Sequence, residues 1–401
     1  MKTAIFKFFS ALVSDTRLFG FVILLICTAT SLQHYIYTPA PGTIDFKYNY
    51  TRYNDFLIFK YSFYHLIHHQ NLYIMYPYEY YDLFKYTPTF ALLMAPFALL
   101  PNLAGLILWN FVGAAFLFFA IRRLPLPGNK STLFVIGFVL IEAITSIQNS
   151  ESNCLLAGLF LLAFIALENK RTAQAAFFIV LSAFVKPFGL AFFTLFIFYP
   201  SKPKAILYSA VWFAVLLLLP LVTGSANYLA SIYRDWGLTL FRDHSESHGF
   251  SVMGWLYTWF GVDQNFPVLF AGMVLLLLPL LRNRNYTSKQ FRILYFASLL
   301  IWVVIFNHLA ESPTFVIAIT GVAIWYSQSR SKINLILLLL CFCFSVLAPT
   351  DVYPHWLRSN YFVPYVVKAV PCIFIWLKIL YELLTTNFTR PDLSSTVLKE
   401  A

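Results

Sequence analysis

The sequence predicts an all-helical, polytopic membrane protein, and three observations carry that reading. Of 401 residues, 60% are hydrophobic and only 11% charged, less than half the charged share of an ordinary soluble domain. Apolar runs of roughly 15–20 residues, the length that crosses a hydrocarbon core of about 30 Å, recur from Phe21 to Leu384. The net charge of +11 is dispersed in small basic groups between those runs. That pattern reads as topogenic signals and argues against a nucleic-acid surface.

Taken in order, the elements begin with a short charged amphipathic start over residues 1–14 and a first span over 18–36, which no small-residue cleavage signature follows, so it reads as a retained anchor. A long loop, 37–87, precedes the segment 88–121. That segment is too long for one straight helix and holds Pro96 and Pro101, so it predicts a short surface or re-entrant helix before the real crossing. Spans follow at 131–147, 153–168, 172–185 and 188–200, the last two short and broken around Pro187. A span over 205–223 leads to a second long loop, 224–263, and the remaining spans are 264–281, 291–307, 313–327, 333–348 and 362–382, ahead of a tail over 385–401. The count is about twelve crossings in a single domain spanning 1–401.

With the N-terminus inside, pairs such as Arg122 and Arg123, Lys170 and Arg171, and Lys202 and Lys204 fall in short cytoplasmic loops, and an even count returns the C-terminus to the cytoplasm. The same assignment sends all eight histidines and most carboxylates to the opposite side. The working face is therefore expected to be extracytoplasmic, with the two long loops carrying function. Residues 52–72 set Phe56, Phe59, Phe63 and Leu66 on one helical face, which predicts an interfacial helix resting on the bilayer.

Several polar residues stand out on that face. Asp55 opens the predicted helix, where the helix dipole favours a carboxylate, and is the base candidate; simple N-capping would also explain it, and Asp45 is a weaker rival. Glu142 and Lys186 are charges within or beside apolar spans, where charge is expensive. Lys186 could meet an anionic lipid phosphate, or pair with Glu142. His308 and Glu311 interrupt the apolar pattern at the mouth between two spans, Glu151 and Asn153 stand at the start of another, and Arg234 and Arg242 lie in the second long loop. His65, His68 and His69 share a helical face, but no carboxylate completes a metal set, and an interfacial cluster is the better reading. The five cysteines lie in apolar runs and read as small core residues. Phosphate-cradling glycine loops, the nucleophile elbow and the His-Glu-x-x-His zinc motif have no match.

The order of these signals resembles glycosyltransferase family 87. The likeness runs through Asn54–Asp55–Phe56, Asn71–Leu72–Tyr73, Tyr86–Thr87–Pro88, Glu151–Ser152–Asn153 (where the family tends to show Gln-x-Asn), Lys186–Pro187 and the segment from His308 to Pro313. The resemblance implies a GT-C-type fold with interfacial helices in the first external loop, in a cell inner (plasma) membrane. It implies transfer of a hexose, by family default mannose, from a polyprenyl-phosphate sugar to a glycolipid or glycan acceptor hydroxyl, with no cofactor. Asp55 would be the general base of an inverting transfer. Lys186 and His308 would line the polar cavity, with Arg242 or Arg234 assisting at the departing phosphate. A transporter or flippase of lipid-linked sugars is the competing class, and a non-catalytic assembly subunit the third. The absence of an internal repeat and the one-sided placement of polar residues favour interfacial catalysis.

Overall fold

The structure, a computed structural model, describes residues 13–37, 51–242 and 247–388. The charged start up to residue 12, Asp45, Asp243, His244 and the tail from 389 lie outside the described residues. Those described form helices and connecting turns, with no strand. The helices are α1 (Thr16–Ile36), α2 (Asn54–Ile67), α3 (Pro88–Leu93), α4 (Ala95–Ala98), α5 (Asn102–Arg123), α6 (Asn129–Gln148), α7 (Asn153–Glu168) and α8 (Thr172–Val185). After a 3₁₀ helix over Pro187–Phe198 come α9 (Lys202–Leu218), α10 (Ala226–Arg242), α11 (Val252–Phe260), α12 (Asn265–Leu277), α13 (Lys289–Ile305), α14 (Phe315–Gln328), α15 (Lys332–Cys341) and α16 (Val370–Thr385).

Four of these are long and apolar enough to cross a membrane: Thr16–Ile36, Asn102–Arg123, Asn129–Gln148 and Lys202–Thr223, where α9 runs on into a 3₁₀ turn. Shorter apolar helices cover 153–168, 172–185, 187–198, 265–281 and 332–346. The protein is a membrane protein whose outer helices show their apolar side chains: Ile206, Leu207, Val211 and Val222 on and after α9 are exposed. Its inner helices are α7, α13 and α14, apolar on every face and almost wholly buried, as a helix surrounded by other helices must be.

Two breaks follow from backbone chemistry. The 88–121 segment divides into α3, α4 and α5, with Pro96 inside α4 and Pro101 just before α5, because proline lacks the donor that would carry a helix through. The pair α8 and Pro187–Phe198 meets at Lys186, which is extended at φ −138° and ψ 130°, the conformation that a following proline enforces.

Helix α7 is the axis of the packing. It lies closest to α5, where a Cβ on Gly158 would fall 2.5 Å from the Phe116 backbone, so only glycine allows that approach. Phe160 stacks on Phe192 at 3.7 Å and Phe164 on Phe296 at 4.5 Å. At the far end of α7, Glu168 takes both arms of Arg292 (2.6 and 3.0 Å), and the Tyr199 hydroxyl donates to it at 2.5 Å.

The expectation that the apolar stripe of this helix rests on the bilayer is corrected. The face of α2 formed by Phe56, Phe59, Phe63 and Leu66 is buried in the protein. Phe59 meets Tyr86, Phe90 and Trp109 edge-on at 4.9–5.6 Å. The apolar stripe faces protein instead of lipid because α3, α4 and α5 fold back beneath the first loop.

Candidate functional site

The start of α2 is capped by no side chain. Tyr53 holds the cap position without a side-chain bond, and Asp55 lies inside the first turn, so N-capping does not account for its carboxylate. Asn54 beside it is committed elsewhere: its amide donates to the Tyr81 carbonyl at 2.6 Å and its oxygen accepts from the Tyr81 N–H at 2.9 Å. That paired contact ties the loop before α3 against the helix start. Asp55, half-buried, has no hydrogen-bond partner among the described residues. Burial and the negative charges of Glu151, Glu311 and Asp82 push its pKa well above the usual carboxylate range, with Lys186 pulling the other way.

Glu151 is placed by the end of α6. Ser150 takes the left-handed conformation at φ +57°, its N–H bonds the Ile147 carbonyl, and the Glu151 N–H reaches back to the Ser146 carbonyl. This is a Schellman ending with serine where glycine is usual. Across the turn, α7 begins at Asn153 with no side-chain cap from Ser152. The Asn153 amide donates to Glu151, and its oxygen accepts from Lys186 Nζ at 3.0 Å. Lys186 Nζ also lies 3.5 Å from Glu151 Oε2. The Lys186 side chain is 20% exposed and Glu151 only 7%, so the ammonium is the member of the trio that a ligand can reach. Tyr86 flanks it, with its hydroxyl 3.3 Å from Ser152 Oγ and its ring centre 5.8 Å from Lys186 Nζ.

The third segment is the turn from Asn307 to Thr314, which carries His308 and Glu311. The second loop docks on it through a bond from the Phe250 N–H to the Ala310 carbonyl at 2.8 Å. Gly249 makes that docking possible: its φ is +52°, and a Cβ there would fall 2.5 Å from the His308 carbonyl oxygen. Below the turn, Lys368 Nζ binds both oxygens of Glu142 (2.9 and 3.0 Å) and donates to Ser312 Oγ at 2.8 Å.

Glu142 is therefore partnered by Lys368 and not by Lys186, and it is wholly buried while Lys368 is 3% exposed. This carboxylate supports the turn from beneath and is closed off from a ligand. Sequence reasoning missed Lys368, although a lone lysine in an apolar stretch is itself a signal that a partner exists.

Asp55, Glu151, Asn153, Lys186 and Glu311 are thus brought together from four places in the chain, and His308 lies in the turn beside Glu311. The arginines of the second loop are not. α10 docks on the first loop through Tyr228 to the Leu66 carbonyl, Tyr233 to Thr89 and Trp236 to the Lys85 carbonyl. Arg234 and Arg242 point away on its exposed face, Arg234 at 3.6 Å from its own neighbour Asp235. No hydrogen bond or ion pair joins either to the Asp55 and Lys186 group among the described residues.

The three histidines of the first loop also part: His65 binds Glu79 at 2.8 Å beneath Tyr76, His69 binds the Thr223 carbonyl at 2.6 Å, and His68 stacks on Tyr64. They form no metal-binding group among the described residues.

Chemically, the site offers an unengaged carboxylate with a raised proton affinity, facing a partly accessible ammonium that is fixed by two neighbours. That suits removal of a proton from a hydroxyl beside an anionic leaving group. Among known proteins, the sequence profile of glycosyltransferase family 87 matches residues 84–349, a stretch that holds Glu151, Lys186, His308 and Glu311 and begins after Asp55. A search of curated proteins finds no match.

Proposed function

The chain belongs to glycosyltransferase family 87 and is a membrane glycosyltransferase; from that premise we propose that it moves a hexose, by family default mannose, from a polyprenyl-phosphate sugar to a glycolipid or glycan hydroxyl. The transfer takes place on the extracytoplasmic face of a cell inner membrane. The proposal extends to the architecture: a GT-C-type arrangement of about twelve crossings with both termini in the cytoplasm.

The observation that carries the reading is the Asp55 carboxylate, free of hydrogen-bond partners among the described residues and set among three like charges and Lys186. In the proposed mechanism Asp55 takes the proton of the acceptor hydroxyl as that oxygen attacks the anomeric carbon. The C–O bond to the lipid phosphate breaks on the opposite face, inverting the centre, and the electron pair leaves with the phosphate. Lys186, oriented by Asn153 and Glu151, stabilises the departing phosphate dianion, and His308 and Glu311 line the acceptor side. A lipid phosphate brings its own leaving group to the bilayer surface, so no nucleotide site is needed. Raising the proton affinity of a carboxylate brings it nearer the operating pH, where a general base works best.

The test is release of polyprenyl phosphate from radiolabelled polyprenyl-phosphate mannose by the purified protein, with a membrane glycolipid extract as acceptor and Asp55→Ala alongside. Label passing to a new product only with Asp55 intact supports the reading. Transfer that persists in Asp55→Ala overturns the assignment of the base, and no transfer by either protein overturns the choice of donor.

A further inference from the structure

Trp109 lies on α5, 3% exposed, and its hydrogen bond and ring contacts among the described residues go to Ser150, Phe59, Phe90 and Phe97 and not to the groups that would meet a substrate. It nevertheless joins two of the elements that carry them. Its Nε1–H donates to the Ser150 carbonyl at 2.7 Å. Its ring meets Phe59 at 5.6 Å and Phe90 at 6.0 Å, both edge-on. Phe59 stands four residues beyond Asp55, on the same side of α2, and Phe90 stacks on Tyr86 at 4.6 Å, the ring beside Lys186.

The bond to Ser150 falls where the backbone most needs it. A serine at φ +57° is held against its own preference for right-handed geometry, and such a conformation persists only where its surroundings fix it. The Ser150 side chain gives no help, because its buried hydroxyl has no partner. The indole N–H closes on the carbonyl of that residue, and the next residue is Glu151.

We propose that Trp109 is a positioning residue for the transfer reaction: its N–H fixes the left-handed Ser150 turn that sets Glu151 beside Lys186, while its ring seats the helix that carries Asp55. This rests on the function proposed above.

The test compares Trp109→Phe, which keeps most of the ring packing and removes the donor, with Trp325→Phe, which removes another buried indole bond, to Glu382 at 3.1 Å, at the end of α14 away from the turn that carries Glu311. Both are assayed in lipid nanodiscs with radiolabelled polyprenyl-phosphate mannose, and amide hydrogen exchange is followed by mass spectrometry. Asp55 is faced by Glu151 from the α6–α7 turn, Glu311 from the 307–314 turn, Asp82 from the first loop and Lys186 from the break after α8.

If Trp109→Phe lets Glu151 drift, kcat falls about tenfold or more with the donor KM within about twofold. The acid limb of the kcat profile then moves to lower pH by about half a unit, because one of the charges raising the proton affinity of Asp55 has withdrawn. Amides 149–153 lose protection, and Trp325→Phe shows none of these changes.

A limb that stays in place, with a kcat loss no larger than that of Trp325→Phe, overturns the proposal. Ser150→Thr, whose β-branched side chain disfavours the left-handed turn while leaving Trp109 intact, should reproduce the same split, and serves if Trp109→Phe does not fold; an unchanged profile in it also overturns the proposal. If the wild-type protein transfers no sugar, the functional reading fails by itself. Exchange then decides the role of Trp109, and unchanged protection over 149–153 in Trp109→Phe overturns it.

Discussion

The two ends of α7 hold the same residue types in opposite conditions. At its C-terminal end Glu168 is saturated: a guanidinium grips both carboxylate oxygens, a tyrosine hydroxyl donates to one of them, and the same Arg292 closes on the Tyr286 and Thr287 carbonyls at 2.9 Å. At its N-terminal end the carboxylates of Asp55, Glu151, Glu311 and Asp82 outnumber the ammonium groups that act on them, Lys186 and, at Glu311, Lys85, and Asp55 has no hydrogen bond to any described residue. A saturated pair locks helices together. A group with more negative charge than it can neutralise has capacity left for something else.

The sharpest way to break this comparison is Asp55→Ala, which should lower sugar transfer by about 10³-fold or more while the protein stays folded; near-normal turnover would mean the uneven charge at that end is incidental. Lys186→Met is next, with an expected loss of roughly a hundredfold in kcat, measured at temperatures where the variant is folded because the change also strands Glu151. The opposite end should behave the other way round: Arg292→Leu strands Glu168 and should destabilise the protein by about 3 kcal/mol, read by thermal unfolding, with kcat near normal at temperatures where the variant is folded.

Activity should fall on acidification at a pH above that expected for an ordinary carboxylate, because Asp55 must be ionised to act and its proton affinity is raised; a limb in the usual carboxylate range would contradict the described surroundings. The smallest effect is on stability. A group with a raised folded-state pKa binds its proton more tightly folded than unfolded, so its contribution is favourable at low pH and is lost as pH rises through that value. Asp55→Asn should therefore raise the melting temperature by about 1–2 °C at neutral pH, and the gain should vanish on acidification.

Much of this was legible in the sequence where a single residue dictates the backbone. Pro96, Pro101 and Pro187 announced the breaks that shape α3 to α5 and the end of α8. Asp55, Glu151, Asn153, Lys186 and Glu311 stood out because polar groups between apolar runs are few. What stayed hidden depended on partners. The stripe Phe56, Phe59, Phe63 and Leu66 is the same whether it meets lipid or protein, and only the return of α3 to α5 decides. Ser150 carries no glycine to advertise a left-handed turn. Glu142 pointed to a cation, but the nearer candidate in sequence, Lys186, was taken by Asn153 and Glu151, leaving Lys368 to fill the role. Arg234 and Arg242 looked equally available because periodicity does not tell which side of α10 the first loop will cover.

The pairing of Glu142 with Lys368 has a consequence for how the protein is made. The partners are 226 residues apart, and at translation rates of about 5–20 residues per second the carboxylate waits about 11–45 s for its lysine to be synthesised. During that interval α6 must either remain outside the lipid, lean on a temporary companion in the insertion machinery, or enter with the carboxyl group protonated. The turn that carries Glu311 and His308 cannot be braced through Ser312 before the lysine arrives, so this part of the site is completed only once most of the chain has been made.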